Sequence, residues 1–176
     1  MFKTKTNNIP ILKKDIFKTA LDRINANNIG STVIIPHVCN NINVFGAGFS
    51  GAISDIYPIV KENFYLLGNK AKLGHVQYIK VAQNKQYGHK IIVANMIAQN
   101  GTISHNNKRP LNYIALAACM NDIKRYIDDL IKEPEIDRCE IHAPKFGSGL
   151  AGGNWKFIEK LIEDAWINTA VYIYGN

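Results

Sequence analysis

This 176-residue chain lacks the cysteines and histidines for a disulfide framework or a zinc site. Its three cysteines, Cys39, Cys119 and Cys139, are odd in number and widely spaced, so they read as reduced, buried thiols. The histidines, His37, His75, His89, His105 and His142, include no pair at metal-ligand spacing, and neither a metal nor a cofactor is expected. No apolar run reaches bilayer length, and the opening MFKTKTNNIP has no apolar segment of the kind a secretory leader carries. An intracellular, cytoplasmic protein without membrane partners is expected. The lysines are not interleaved with aromatics and no nucleic-acid motif occurs, which argues against a nucleic-acid partner. Repeats, low-complexity tracts and linkers are also missing, so residues 1–176 are expected to form one domain and a monomer.

The chain has an ordinary globular composition, 47% hydrophobic and 20% charged, with a net charge of +7. That charge serves either solubility or the attraction of an anionic ligand. Residues 2–6 and 9–12 suggest short strands, and Phe17, Leu21 and Ile24 mark a helix over 17–26. Val33 to Val38 is apolar at every position but one, as in the centre of a covered sheet. Residues 49–64 read as helical, with Pro58 bending or splitting them. Further strands are expected at 74–82, 90–97, 139–143 and 169–174. A long helix over 112–132 would present Ile114, Ala117, Ile123, Ile127, Leu130 and Ile131 on one face. A last helix follows Asn154, a suitable N-cap, with Trp155, Ile158, Leu161, Ile162 and Ala165 inward. Alternating strands and helices predict an α/β fold, a three-layer α/β/α sandwich.

Two glycine loops stand out, each after a buried strand and before a helix. The first, Gly46-Ala47-Gly48-Phe49-Ser50-Gly51, matches the dinucleotide fingerprint G-x-G-x-x-G. That fingerprint needs a glycine at the strand's end and an acid closing the next strand. Here Asn40 to Phe45 intervene, and the nearby acids Asp55 and Glu62 lie in the helical stretch, so a nicotinamide oxidoreductase is disfavoured. The second loop runs from Pro144 to Gly153. Glycines let a backbone approach a ligand closely, and N–H groups at a helix start stabilise an anion. Two such loops at the C-terminal strand ends can hold one diphosphate from two sides.

The blocks HVCNNINVFGAGFSGAI, VANMIAQ, LNYIALAAC, FGSGLAGGNW and VYIY together resemble the macrodomain family. They are most similar to small phage and yeast members described as ADP-ribose 1″-phosphate phosphatases. The resemblance implies a mixed central sheet and a small-molecule ligand, ADP-ribose or a derivative. It places Asp15, beside Ile16, on the adenine, with Lys14 where the family has glycine, and Asn40 on the distal ribose. Val44, Phe45, Gly46, Ala47, Gly48 and Phe49 correspond to the first phosphate loop. Gly147, Ser148, Gly149, Leu150, Ala151 and Gly152 correspond to the second, and Tyr174 lies near the adenine. The alternatives are that Asp15 is only a turn or helix-capping acid, Asn40 a loop-internal hydrogen-bonding group, and Tyr174 core.

Catalysis needs particular groups beyond the fold. One branch of mono-ADP-ribosyl hydrolases carries aspartate where Ser50 stands. Another uses a lysine on the strand that here reads Val93-Ala94-Asn95-Met96, and an aspartate where Ala151 stands. Those routes are disfavoured. His37 and Asn40 resemble the His-x-x-Asn of the phosphatase-like branch, with His37 as the acid/base candidate; otherwise His37 only shapes the pocket. Asn154 stands where phage relatives often carry aspartate, and His142 either assists or is structural. The leading expectation is an ADP-ribose 1″-phosphate phosphatase, a hydrolase. The alternative is a module that sequesters ADP-ribose or an NAD-derived signal without turnover.

Overall fold

The computed structural model describes residues 9–175 apart from Asn28 and Glu135; the strand expected at 2–6 lies outside them. Six strands form one sheet: β1 (Ile11–Leu12), β2 (Thr32–Asn40), β3 (Val76–Gln83), β4 (Lys90–Gln99), β5 (Cys139–Pro144) and β6 (Ala170–Tyr174). Their order is β1-β6-β5-β2-β4-β3. Only the β3–β4 pairing is antiparallel, so the sheet is mixed.

The period-2 geometry of β2 sends Val33 and Ile35 to one face and Ile34 to the other. On the first face they meet Ile16, Ala20 and Ile24 of α1 (Ile16–Asn25), Ile53 of α2 (Phe49–Ile56), and Val60 and Phe64 of α3 (Pro58–Leu67). On the second they meet α4 (Tyr113–Leu130) and α5 (Trp155–Ala165) through Leu116, Met120, Ile123, Ile158 and Ile162. These are the three layers of a macrodomain-like sandwich. Pro58 splits the 49–64 stretch, ending one helix at Ile56 and standing at the start of the next, where its missing N–H costs nothing.

One expected face differs. The buried stripe of α4 runs through Ala115, Leu116, Cys119, Met120, Ile123, Ile127 and Leu130. Ile114 is 85% exposed and Ile131 46%, because each lies beside this stripe, whose phase is set by Asn112 capping at Ala115 N. No helix among the described residues is long and apolar enough to cross a membrane.

The sheet also opens where a ligand would need it to. Pairing between β2 and β5 covers only Thr32 to Ile34 on β2. Beyond that Pro36 has no N–H to offer a ladder, while β2 stays paired to β4 as far as Asn40. The two strands part towards their C-terminal ends, and both glycine loops spring from that gap.

Candidate functional site

Three adjoining hollows lie along these strand ends. The central one, about 240 Å³, is lined by His37, Ala47, Gly48, Phe49, Gly147, Gly149 and Leu150, among others. A larger one, about 540 Å³, is lined by Lys14, Asp15, Ile16, Phe17 and Tyr174, and shares Gly48, Phe49, Pro144 and Lys145 with the first. A third, about 120 Å³, includes Asn40, Val44, Phe45, Gly46 and Ile103, and shares Ala47, Ser50, Gln99 and Leu150 with the central hollow. Together they form one groove with its neck at Gly48, Phe49, Pro144 and Lys145.

Both loops present donors to it. Among the described residues, the N–H groups of Ala47, Gly48 and Phe49, and of Gly147, Gly149 and Leu150, have no acceptor within the chain. Free N–H groups on a concave wall are an anion site by their partial charge alone. Gly48 holds φ +59° and ψ −133° as the first residue before α2, a conformation that essentially only glycine adopts. No side chain caps that helix, so its N-terminus stays open to the groove. Loop two is built differently: Asn154 Oδ1 accepts from Phe157 N at 3.2 Å, so the first turn of α5 carries a side-chain cap.

Not every expected residue reaches the groove. Ser148 lines none of the three hollows; its hydroxyl donates to Lys145 O at 2.8 Å. Gly152, at φ +74°, is packed against the backbone of Lys108 and Arg109, so its role is close packing. Asn40 lies at the groove's end, but its side chain is occupied. Nδ2 donates to Val44 O, and Oδ1 accepts from Ile42 N and Val44 N. Asp15 lines the larger hollow while Oδ1 caps α1 at Lys18 N, 2.8 Å away.

His37 lies on the floor, 2% exposed, under edge-on contacts from Phe45 and Phe49. Its Nε2–H donates to Asn95 Oδ1. Asn95 is held in that orientation because its amide donates to Gln77 Oε1, and Gln77 donates to Asn63 O. Burial drives the imidazole pKa down to about 4, against a smaller upward pull from Asn95. The ring is therefore neutral at pH 7, with its single proton committed inside the sheet. This state suits a structural floor; it leaves no spare proton for acid catalysis, while Nδ1 stays unprotonated for the base half of the expected acid/base role.

His142 is also buried. Its Nε2 bonds Glu140 at 3.0 Å and its Nδ1 the Tyr174 hydroxyl at 2.7 Å. Glu140 also pairs with Arg23. Burial would raise the Glu140 pKa, but hydrogen bonds and charge from His142 and Arg23 outweigh it and bring it to about 2. The network pins Tyr174 as a wall of the larger hollow, so His142 supports the groove without lining it.

Phe17, Gln99 and Lys145 are among the groove residues to which the sequence reading gave no ligand role. Phe17 stacks on Phe49, with centroids 5.7 Å apart and planes 8° from parallel. Its helical spacing marked it only as core. Lys145 lies at the start of the second loop as read from Pro144, a position that was itself a signal.

No family model matches the chain. Over 132 residues, 73% of this chain and 77% of the other, it is 26% identical to an uncharacterised 17.5 kDa protein of Enterobacteria phage T4. A protein of unknown function from Bacteroides thetaiotaomicron superposes with a TM-score of 0.73 at 26% identity, covering 97% of this chain and 99% of that one. A macrodomain protein from Streptomyces coelicolor does so at 0.64 and 27% identity, covering 88% and 95%. DarTG of Thermosipho africanus, solved in complex with ADP-ribose, shares the fold at 0.59 and 18% identity over 80% of this chain and 37% of its own. The sheet order, the paired glycine loops over the opening between β2 and β5, and this likeness along nearly a whole macrodomain show that the chain has the macrodomain fold.

Proposed function

We propose that this protein binds an ADP-ribose-type ligand along the groove. The adenosine end would occupy the larger hollow beside Asp15, Ile16, Phe17 and Tyr174. The diphosphate would cross the neck between the two loops, and the distal ribose would enter the hollow bounded by Asn40, Val44, Phe45 and Gly46. The observation that carries this is the pair of unpaired N–H arrays, from two different loops, on the wall of one cavity. DarTG, a neighbour in fold, was solved with ADP-ribose, which supports the ligand class.

Hydrolysis of ADP-ribose 1″-phosphate is the proposed chemistry if the groove turns ligand over. The N–H groups of Ala47 and Leu150, which also line the distal hollow, would stabilise charge on the transferring phosphoryl group. Sequestration without turnover is the second reading, and the state of His37 favours it: the ring is neutral, buried and bonded to Asn95. Calorimetry with ADP-ribose, run beside phosphate release from ADP-ribose 1″-phosphate, separates them. Binding with release that survives His37→Gln supports loop-driven hydrolysis. Binding without release supports sequestration, and no binding to either compound refutes the ligand assignment.

A further inference from the structure

The neck of the groove carries one charged side chain. Of the residues shared by the central and larger hollows, Gly48, Phe49 and Pro144 are uncharged and Lys145 is cationic. The Lys145 ammonium lies 5.5 Å from the centroid of the Trp155 ring, within cation–π range. Its backbone is fixed by the Ser148 hydroxyl on Lys145 O, so Ser148 serves the groove indirectly. Among the described residues no carboxylate lies within ion-pair distance of Lys145. Lys14 lines only the larger hollow and not the neck.

We infer that Lys145, docked on Trp155, is the counter-ion for the bridging diphosphate and sets the groove's preference for diphosphate-linked over uncharged adenosine ligands. This rests on the ligand reading above. The loop N–H groups supply partial charges and geometry. A full positive charge on the neck adds attraction that falls as salt rises. Trp155 limits the rotamers of the lysine, so less freedom is lost when the anion arrives.

The test is calorimetric titration of the wild type, Lys145→Gln, Lys145→Arg and Trp155→Leu with ADP-ribose and with adenosine, at low and high salt. Lys145→Gln is expected to lower ADP-ribose affinity about tenfold at low salt and to flatten its salt dependence, a loss the size of one charge–charge contact. Adenosine affinity should not change. Lys145→Arg should retain most of the affinity, and Trp155→Leu should lose part of it. Lys145 is exposed, so its variants should melt with the wild type. Wild-type binding matched by Lys145→Gln in both affinity and salt slope overturns the inference and leaves the ligand reading standing. An equal loss for adenosine and ADP-ribose also overturns it, since the lysine would then only shape the wall. Absence of ADP-ribose binding by the wild type overturns both.

Discussion

The two glycine loops look alike in sequence and differ in construction. Loop one ends at Gly48, whose backbone conformation leaves the start of α2 uncapped and facing the groove. Loop two feeds a helix whose first turn is closed by Asn154, and its last glycines face away, with Gly152 against Lys108 O and Gly153 against Leu111. In one loop glycine keeps a wall low for a ligand; in the other it lets protein pack on protein. A helix N-terminus is an anion site only when nothing else has satisfied it. Loop two's contribution therefore comes from Gly147, Gly149 and Leu150 within the loop itself.

The contrast breaks first at Gly152→Ala. A methyl there would lie 2.6 Å from Lys108 O at φ +74°. Clash and backbone strain together should cost about 3 kcal/mol of stability in denaturant melts, and ADP-ribose affinity of the folded fraction should change little. A ligand defect without a stability defect would invert the comparison.

Acid between pH 6.5 and 4 should act beneath loop one, through His37. The ring titrates near 6.5 when unfolded and near 4 when folded, so the unfolded state takes up the proton first. Stability is complete above pH 6.5 and falls as pH drops towards 4, by about 3 kcal/mol at most. Denaturant melts across that window should show a smaller decline for His37→Gln, and an equal decline would remove His37 as the cause.

Gly48→Ala has room, with Leu150 Cδ1 3.7 Å from the added methyl. It should cost about 1–3 kcal/mol in backbone strain, and weaken ADP-ribose binding at least tenfold, because the methyl enters the neck. The smallest effect is expected at Asn154. Loss of the cap in Asn154→Ala should cost about 1 kcal/mol, read as a drop in Tm, with ligand affinity kept. A large loss of turnover in that variant would assign Asn154 to chemistry.

Local signals in the sequence were reliable where local physics decides. Pro58 split its helix, Asn154 capped the next, and the unbroken apolar run of β2 marked the sheet's centre. The phase of α4 was misjudged because isoleucine reports hydrophobicity and not direction; Ile114 points to solvent while Ala115 and Cys119 are buried. The groove's location was legible from strand–glycine–helix order. The state of its side chains was not. His37 owes its neutrality to Asn95, 58 positions away, and Tyr174 is held through His142 and Glu140 by Arg23, 117 positions from that glutamate. Contacts of that separation leave no trace in spacing. Asp15 and Asn40 were each given a ligand and a structural alternative. The structure shows both making their structural hydrogen bonds while lining the groove.

Helix α2 buries a single residue, Ile53, and joins α3 through the Tyr57–Pro58 corner. Loop two, in contrast, is bolted down by Ala151 O on Leu111 N and by Gly147 O on Gly153 N. The clamp thus has one jaw tied down by backbone hydrogen bonds and one held by a few side chains, Ile53 in the core and Phe49 on Phe17. A loosely anchored element opens locally at small free-energy cost, so the residence time of a bound nucleotide would be governed by α2, and substitutions at that corner would alter departure rates without touching any atom that meets the ligand.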